Sequence, residues 1–459
     1  MKTKSLIIIF LVLFGNSMLA NVTLPNIFSD NMVLQRSSEV SIWGWAEPRE
    51  ELKLVSSWNN IQYTIVPDPL GKWEIKIKTP EAGGPYQISI KGYNEIVLKN
   101  ILIGEVWLCS GQSNMAMSPS WGIENGEEEI KNATNPNIRF FTVPKLTADG
   151  LQINLPGEWS ESTPETMKYF SAVGYFFAQR LQKDLQNVPI GLISSNWGGT
   201  PAEIWMDEKV VKNDKILLDA ANKIKEGRTG PSNPGITYNA MIHPLVGFKI
   251  AGVIWYQGES NVGATTYEKT FGALISSWRD KWKQDFPFYF VQIAPYNYSE
   301  NVSGAAVIRN AQRLVAQNIP NTGMVVTTDI STIDDIHPKD KKSVGVRLAN
   351  LALANTYHTN TNLVNGPLYK NFTVAKNKII VSFDYSDGLR FSENKELQFE
   401  VAGSDSVYYP AEAVIKNNQV IVKSKFVGRP VMVRYAWINT MQSNLFNSAN
   451  LPASSFISE

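Results

Sequence analysis

Two segments of the chain carry the residue types that acyl transfer requires. Ser113 lies in the segment Gly-Gln-Ser-Asn-Met, and His337 follows closely after Asp334 and Asp335. Acyl transfer needs a hydroxyl nucleophile, an imidazole that takes up and returns its proton, and a carboxylate that orients the imidazole. The residue types therefore suggest Ser113 as nucleophile and His337 as general base. By itself, a serine among Gly and Asn is also typical of a turn that merely ends a strand.

Two further polar segments could complete such a site. Gly198 and Gly199 lie in Asn-Trp-Gly-Gly-Thr, and paired glycines allow the backbone to approach a ligand closely and aim an N–H group at it. Gln257, Glu259 and Asn261 lie in Trp-Tyr-Gln-Gly-Glu-Ser-Asn, a dense polar cluster after an apolar run. Acyl transfer also requires donors for the developing oxyanion, each worth about 2.7–4 kcal/mol. A simple tight turn remains the alternative for the paired glycines.

Apolar runs precede these polar segments and are predicted to be strands. The runs are Ile101–Cys109, Val188–Ser194, Ile250–Tyr256, Phe288–Ile293 and Gly323–Thr327. Amphipathic patterns predict helices at Ser171–Gln186, Tyr267–Lys283, Ala305–Gln317 and Lys341–Asn355. Near-continuous apolar strands that alternate with helices predict an α/β domain over residues 101–357, with a parallel sheet covered on both faces. Ligands of such sheets bind beyond the carboxyl ends of the strands, so the polar segments should converge there.

A different pattern occupies both ends of the chain. Val40–Trp45 and Trp73–Lys78 alternate between apolar and polar residues, as do Lys378–Phe383 and Val431–Tyr435. This alternation predicts strands with one face packed on a core and the other exposed to solvent. We therefore predict β-sandwich-like modules at residues 21–100 and 358–459.

The polar segments together resemble a known family. Gly-Gln-Ser-Asn-Met, Asn-Trp-Gly-Gly-Thr, Trp-Tyr-Gln-Gly-Glu-Ser-Asn and Asp-Ile-His-Pro-Lys occur in the order found in the sialate O-acetylesterase family. That family belongs with the SGNH-type carbohydrate esterases, which remove acetyl groups from sugars. Phe28–Gln35 and Leu451–Ser454 also resemble its flanking β modules. The resemblance covers nearly the whole mature chain and implies an SGNH-hydrolase-like central sheet.

The resemblance also implies roles for individual residues. Ser113 would be the nucleophile, His337 the general base, and Asp334, three residues before the histidine, the orienting acid. Asp335 is the rival acid, and a backbone carbonyl in place of either carboxylate is a further alternative. The implied oxyanion donors are the backbone N–H of Ser113, that of Gly198 or Gly199, and the side-chain amide of Gln257. Supporting roles fall to Glu259 and Asn261.

The implied function is removal of O-acetyl groups, with 9-O-acetylated sialic acid as the expected partner. Two alternatives stay open: esterase activity on acetylated xylan or another acetylated glycan, and carbohydrate binding without catalysis. With 43 basic and 42 acidic residues, the chain has no excess of positive charge of the kind that nucleic-acid binding favours. No His-x-x-x-His pattern, phosphate loop or dinucleotide fingerprint is present, so we expect neither a metal nor another cofactor.

The first twenty residues have the pattern of a secretory signal peptide. Lys2 and Lys4 precede the apolar run Leu6–Phe14, and small or polar residues lead to Ala20. The apolar run is too short to span a bilayer. The sequence therefore predicts residues 1–20 to be a signal peptide, with the mature protein exported to the periplasm or the exterior and carrying no membrane span. The one cysteine, Cys109, is predicted to be a small buried hydrophobic residue.

Overall fold

The computed structural model describes residues 21–225, 230–298, 302–393 and 398–458. The predicted signal peptide, residues 1–20, lies outside these ranges. Within them, no helix combines the length and the apolar character that crossing a membrane requires.

The N-terminal region is built from short strands that alternate between buried and exposed side chains. The strands are β1 (Val33–Gln35), β2 (Glu39–Trp45), β3 (Leu52–Ser56), β4 (Gln62–Ile65), β5 (Lys72–Lys78), β6 (Gly83–Lys91) and β7 (Glu95–Gly111). Strand β3 pairs antiparallel with β4 and β6, and β6 pairs antiparallel with the first half of β7. Strand β1 pairs parallel with β7, while β2 and β5 form a separate two-stranded ribbon.

Strand β7 connects this region to the central sheet without a break. Its 17 residues pair antiparallel with β6 as far as Ile103, and from Glu105 onward they belong to a parallel sheet. The boundary predicted between residues 100 and 101 thus lies within one continuous strand.

The central region alternates strands and helices. Its elements are α1 (Ser113–Ala116), α2 (Gly126–Lys131), β8 (Asn135–Thr142), β9 (Trp159–Ser162), α3 (Pro164–Met167), α4 (Ala172–Asp184), β10 (Ile190–Asn196), α5 (Glu208–Lys212), α6 (Lys215–Ala221), β11 (Gly252–Tyr256), α7 (Tyr267–Trp282), β12 (Phe288–Val291), α8 (Gly304–Asn318), β13 (Thr322–Val325) and α9 (Lys341–Asn355). Single turns of 3₁₀ or π helix occur at Pro119–Trp121, Ala202–Trp205, Tyr238–Ile242, His243–Leu245 and Glu259–Asn261. The sheet order is β13-β12-β11-β7-β10-β8-β9, parallel except for β9. The predicted α/β architecture is confirmed.

Both faces of the parallel sheet are buried, which explains the continuous apolar runs. Consecutive residues alternate between two cores: Leu108 and Trp255 belong to one, while Trp107 and Ile254 belong to the other. Cys109 lies in the second core with its thiol free and fully buried. Burial raises the pKa of the Cys109 thiol, so it stays protonated and behaves as an apolar side chain.

The C-terminal region is antiparallel. Its strands are β14 (Leu368–Ala375), β15 (Lys378–Asp384), β16 (Arg390–Phe391), β17 (Phe399–Ala402), β18 (Tyr408–Lys416), β19 (Gln419–Lys423), β20 (Met432–Tyr435), β21 (Leu445–Phe446) and β22 (Phe456–Ile457). Seven of them form the sheet β14-β15-β19-β18-β17-β20-β22, and the other two pair separately. The buried Arg309 of α8 binds this region by donating to the Ser455 hydroxyl and the Ile438 carbonyl.

Candidate active site

Three central strands end at the same level of the sheet. Gly111 at the end of β7 lies opposite both Asn196 at the end of β10 and Tyr256 at the end of β11. The polar segments that follow these strands therefore begin side by side at the carboxyl edge, where α/β sheets bind their ligands.

A sharp turn presents Ser113 at this edge. Gly111 has φ +133°, and a Cβ atom there would lie 2.2 Å from the carbonyl oxygen of Tyr256, so only glycine fits. The N–H of Gln112 donates to the same carbonyl at 2.9 Å, and the N–H of Trp197 donates to the Gly111 carbonyl at 3.1 Å. The turn is thus tied to both neighbouring strands, and Ser113 follows as the first residue of α1.

The His337 side chain lies within hydrogen-bonding distance of the Ser113 side chain. Its Nε2 atom lies 2.8 Å from the Ser113 Oγ atom, within the reach of a general base. His337 comes from the loop between β13 and α9, 224 residues away along the chain. Partial burial and the nearby Lys341 ammonium lower the pKa of His337, while Asp335 acts in the opposite direction. The imidazole is therefore held in its neutral, proton-accepting form at neutral pH.

The carboxylate closest to the imidazole belongs to Asp335. Its Oδ1 atom lies 3.9 Å from His337 Nδ1 and accepts the His337 backbone N–H at 2.8 Å. The 3.9 Å separation is too long for a hydrogen bond, so Asp335 acts on the ring by charge. Asp334 is exposed and forms no ion pair with His337 in the described part of the chain. The resemblance implies Asp334 from its position three residues before the histidine, whereas the segment bends and places Asp335 nearer to the ring.

Backbone N–H groups are available beside Ser113 for an oxyanion. A Cβ atom at Gly198 would lie 3.2 Å from the Ser113 Cβ atom, so the glycine backbone passes directly alongside the nucleophile. Within the described residues, the N–H groups of Ser113, Gly198 and Gly199 donate to no protein acceptor. Unused donors next to a nucleophile are what an oxyanion hole requires.

Gln257 does not supply a donor in this geometry. Its fully buried amide donates to the Thr200 carbonyl at 3.1 Å and to Asn261 Oδ1 at 2.7 Å, and it accepts the Tyr267 hydroxyl at 2.7 Å. Both amide protons are thus occupied within the protein. The structure therefore does not match the predicted oxyanion role and shows Gln257 bracing the loop after β11.

Glu259 and Asn261 lie in the same buried network. The Oε1 atom of Glu259 accepts the Asn114 side-chain amide at 2.5 Å. Asn261 donates to both carboxylate oxygens of Glu203, at 3.2 and 3.0 Å, and accepts the Ala202 N–H at 3.0 Å. Neither residue contacts Ser113 through a hydrogen bond among the described residues, and both connect the loops around it.

Asn114 and Lys341 were not identified as site residues from the sequence. The Asn114 amide donates to the carbonyl of Ile336, the residue before the histidine, at 3.0 Å, and its oxygen accepts Lys341 Nζ at 2.5 Å. Lys341 is fully buried, 5.3 Å from the centre of the Tyr256 ring, and burial lowers its pKa to about 7. Asn114 therefore joins the turn that carries Ser113 directly to the loop that carries His337, and the buried Lys341 ties it to the start of α9. A lysine at the start of a helix gives no sequence signal for such burial.

A cavity of about 280 Å³ adjoins the nucleophile turn. It is bordered by Ala116 of α1 and by Asn196, which lies two residues before the first of the paired glycines. Its rim includes Trp121 and Tyr169, whose side chains are 51% and 68% exposed, and Lys145, which follows β8. The Trp121 ring meets the His337 ring edge-on at 6.3 Å between centroids. Neither Ser113 nor His337 lines the cavity, but Trp121 joins its rim to the His337 ring.

Comparisons with known proteins agree that the protein is an esterase. A family model described as carbohydrate esterase, sialic acid-specific acetylesterase, matches residues 103–354. The chain belongs to this family. The sialate O-acetylesterase of Homo sapiens is 30% identical over 486 residues, covering 94% of this chain and 91% of the human protein. That of Rattus norvegicus is 29% identical, covering 89% and 88%. The crystal structure of a carbohydrate acetylesterase from Xanthomonas citri matches with a TM-score of 0.87 at 34% identity, covering 96% of this chain and 100% of that one.

Proposed function

We propose that the protein removes 9-O-acetyl groups from sialic acid through a covalent acyl-enzyme on Ser113. The observation that carries this proposal is the 2.8 Å contact between Ser113 Oγ and His337 Nε2 at the carboxyl edge of the sheet. A hydroxyl next to a neutral imidazole, with unused N–H donors alongside, is the arrangement that acyl transfer needs.

The reaction would proceed in two steps. His337 accepts the Ser113 proton as Oγ attacks the acetyl carbonyl, and the imidazolium then protonates the departing sugar hydroxyl. Water next attacks the acetyl-enzyme with His337 again as base, which releases acetate and restores the serine. In both steps the N–H groups of Ser113 and Gly198 stabilise the oxyanion. The Asp335 carboxylate stabilises the imidazolium by charge at 3.9 Å.

Lys145 supports sialic acid as the substrate. It lines the cavity beside Ser113, is exposed, and forms no ion pair within the described residues, so its ammonium is available to the carboxylate of sialic acid. Strand β8 lies two strands from β7, about 10 Å across the sheet, and Lys145 follows three residues after β8 ends. Sialic acid carries its carboxylate and its 9-hydroxyl at opposite ends, and it could therefore reach from Lys145 to Ser113.

The arginines that the sequence offered for the same purpose are engaged elsewhere. Arg139 is buried and pairs with Glu161 at 3.2 Å, and Arg347 pairs with Asp329 at 2.5 Å. Arg309 is buried against the C-terminal region. None of the three lines the cavity beside Ser113. A neutral glycan such as acetylated xylan could accept a hydrogen bond from the Lys145 ammonium but would lack the ion pair that a carboxylate forms with it, which is why we favour the acidic sugar.

The mechanism is tested by Ser113→Ala. We expect no release of acetate from p-nitrophenyl acetate or from 9-O-acetylated sialic acid, with an unchanged circular dichroism spectrum. Ser160→Ala, a half-buried serine of β9, serves as the matched control and should retain activity. Acetate release by a folded Ser113→Ala variant at the wild-type rate would disprove the acyl-enzyme mechanism.

Substrate choice is tested by Lys145→Ala. The KM for 9-O-acetylated sialic acid should rise about tenfold, the effect of losing one charge-assisted contact of roughly 1.4 kcal/mol, while p-nitrophenyl acetate hydrolysis stays unchanged. Lys183→Ala, an exposed lysine of α4, is the control. A higher kcat/KM for acetylated xylan than for acetylated sialic acid, unaffected by Lys145→Ala, would establish the rival substrate.

We also propose that the protein is exported to the periplasm or the exterior. The support is the order of basic, apolar and small residues within residues 1–20. Mass spectrometry of the mature N-terminus should show cleavage near Ala20, in a fraction outside the cytoplasm. A full-length chain confined to the cytoplasm would contradict export.

A further inference from the structure

A second cleft lies between the N-terminal ribbon of β2 and β5 and the central region. Its volume is about 400 Å³, and its lining includes Trp43, Trp45, Lys72 and Glu74 from the ribbon, with Ile153 and His243 opposite. None of these residues lines the cavity beside Ser113. The cleft is therefore separate from the candidate active site.

The strand pattern explains why tryptophans face this cleft. In β2, Val40 and Ile42 point into the core, so Trp43 and Trp45 point to the opposite face and are only partly buried. The pairing with β5 then places Glu74 opposite Trp43, and Lys72 opposite Trp45. One face of the ribbon thus combines two indole rings with charged hydrogen-bonding groups.

The cleft walls are held in place by contacts within the protein. The Trp43 ring packs edge-on against Phe28 at 4.6 Å between centroids. His243 Nδ1 lies 2.7 Å from the Gln152 carbonyl, and because a carbonyl can only accept, Nδ1 is the donor and the ring orientation is held. Ile153 is 55% exposed and adds apolar surface opposite the ribbon. The site is thus largely formed before any ligand enters.

We propose that this cleft binds a neutral hexose of a glycan, apart from the residue that is deacetylated. A pyranose ring has apolar C–H faces that pack on indole and hydroxyls that need both donors and acceptors. Trp45 and Trp43 offer the apolar surface, and Lys72 can donate hydrogen bonds. Glu74 and Asp68 can accept hydrogen bonds from sugar hydroxyls, mainly through Oε2 and Oδ2, because Oε1 and Oδ1 already accept within the protein. The volume lies within the range of small-molecule sites, roughly 300–1,000 Å³.

The charge of the cleft selects a neutral sugar. Asp68 and Glu74 bring two carboxylates against the single Lys72 ammonium, which disfavours a ligand with its own carboxylate. This contrasts with the cavity beside Ser113, where Lys145 is the charged group on the rim. The two sites would therefore recognise different parts of one acetylated glycan, with the second site binding its neutral carrier sugars.

The test uses the Ser113→Ala variant, so that no turnover occurs and the outcome does not depend on the catalytic mechanism. Lactose and cellobiose are titrated and followed by calorimetry and saturation-transfer NMR, with free sialic acid as the charged comparison. We expect at least one disaccharide to bind more tightly than sialic acid. Adding Trp45→Ala should weaken that binding at least tenfold.

Three further variants distinguish binding in this cleft from binding beside Ser113 and from loss of the fold. Trp58→Ala replaces a partly buried tryptophan of the same region outside the cleft and should leave binding unchanged. Trp121→Ala, at the cavity beside Ser113, should also leave it unchanged. Glu74→Gln weakens binding without a large change in side-chain volume, in case Trp45→Ala impairs folding. Absence of binding by both disaccharides, tighter binding of sialic acid, or binding insensitive to both Trp45→Ala and Glu74→Gln would overturn the proposal.

Discussion

Replacing Asn114 by alanine is the change that best tests how the site is held together. The Asn114 side chain accepts Lys341 Nζ at 2.5 Å and donates to Glu259 Oε1 at 2.5 Å and to the Ile336 carbonyl at 3.0 Å. Asn114→Ala removes all three hydrogen bonds and leaves a buried ammonium and a buried carboxylate without their shared partner.

The expected cost follows from the burial of these groups. Breaking a buried charged contact by removing one partner typically costs about 3–5 kcal/mol, more than the roughly 1 kcal/mol of an ordinary hydrogen bond. Burial raises the pKa of Glu259 and lowers that of Lys341, so both can lose their charge, which places the cost near the lower end of that range. The loop that carries His337 would also be released, and a shift of about 1 Å in a catalytic group can lower kcat roughly 100-fold.

The assay combines urea unfolding, followed by tryptophan fluorescence, with steady-state hydrolysis of p-nitrophenyl acetate and 9-O-acetylated sialic acid. For Asn114→Ala we expect a loss of about 3 kcal/mol in unfolding free energy and a roughly 100-fold lower kcat with little change in KM. A loss in kcat with little change in KM would identify Asn114 as a positioning residue, because its side chain is fully buried and acts through the His337 loop. Asn233→Ala, an exposed asparagine, is the control. A loss below about 1 kcal/mol together with a near wild-type kcat would refute the reasoning.

Three further changes test single features of the site. Asp335→Asn should lower kcat/KM about tenfold, because a partly exposed charge 3.9 Å from the imidazole contributes roughly 1–2 kcal/mol. Asp334→Asn should change kcat/KM less than twofold. The reverse order would restore Asp334 as the acid. Lys341→Met removes a cation that lowers the pKa of His337. The pKa of His337 should therefore rise, and the acidic limb of the plot of kcat/KM against pH should move to higher pH. An acidic limb at the same pH would contradict this coupling. Gly111→Ala should lower the melting temperature and abolish activity. A φ of +133° costs a non-glycine residue about 1–3 kcal/mol, and the added Cβ atom would lie 2.2 Å from the β11 backbone. An unchanged melting temperature would count against this turn geometry.

The strands of the central sheet could be predicted because both of their faces are buried. Residues such as Trp107 and Leu108 serve different cores, so the strand appears in the sequence as an unbroken apolar run. Strand β8 was not predicted, since its first residues, Asn135 to Asn137, have the composition of a turn and its centre contains Arg139.

The candidate site was predicted only in part, for a similar reason. Ser113 was visible because it follows directly after a strand. The choice between the two acids depended on a bend before His337 that composition does not reveal. The pairing of both Gln257 amide protons, and the burial of Lys341, depend on neighbours that are distant along the chain. Local sequence therefore identifies reacting groups more readily than the groups that hold them.

Strand β7 couples the position of Ser113 to the pairing of strands in the N-terminal region. At about 3.3 Å per residue its 17 residues span roughly 55 Å, and they carry the β6 pairing at one end and the turn before Ser113 at the other. A shift of one residue against β6 would exchange the two sheet faces along the whole strand and present each side chain to the wrong core. A register error against β6, far from the carboxyl edge of the sheet, would therefore displace the turn that carries Ser113. The N-terminal region thus helps to set the position of Ser113. Excising residues 21–100 would remove six of the 17 residues of β7, the strand that ends two residues before Ser113.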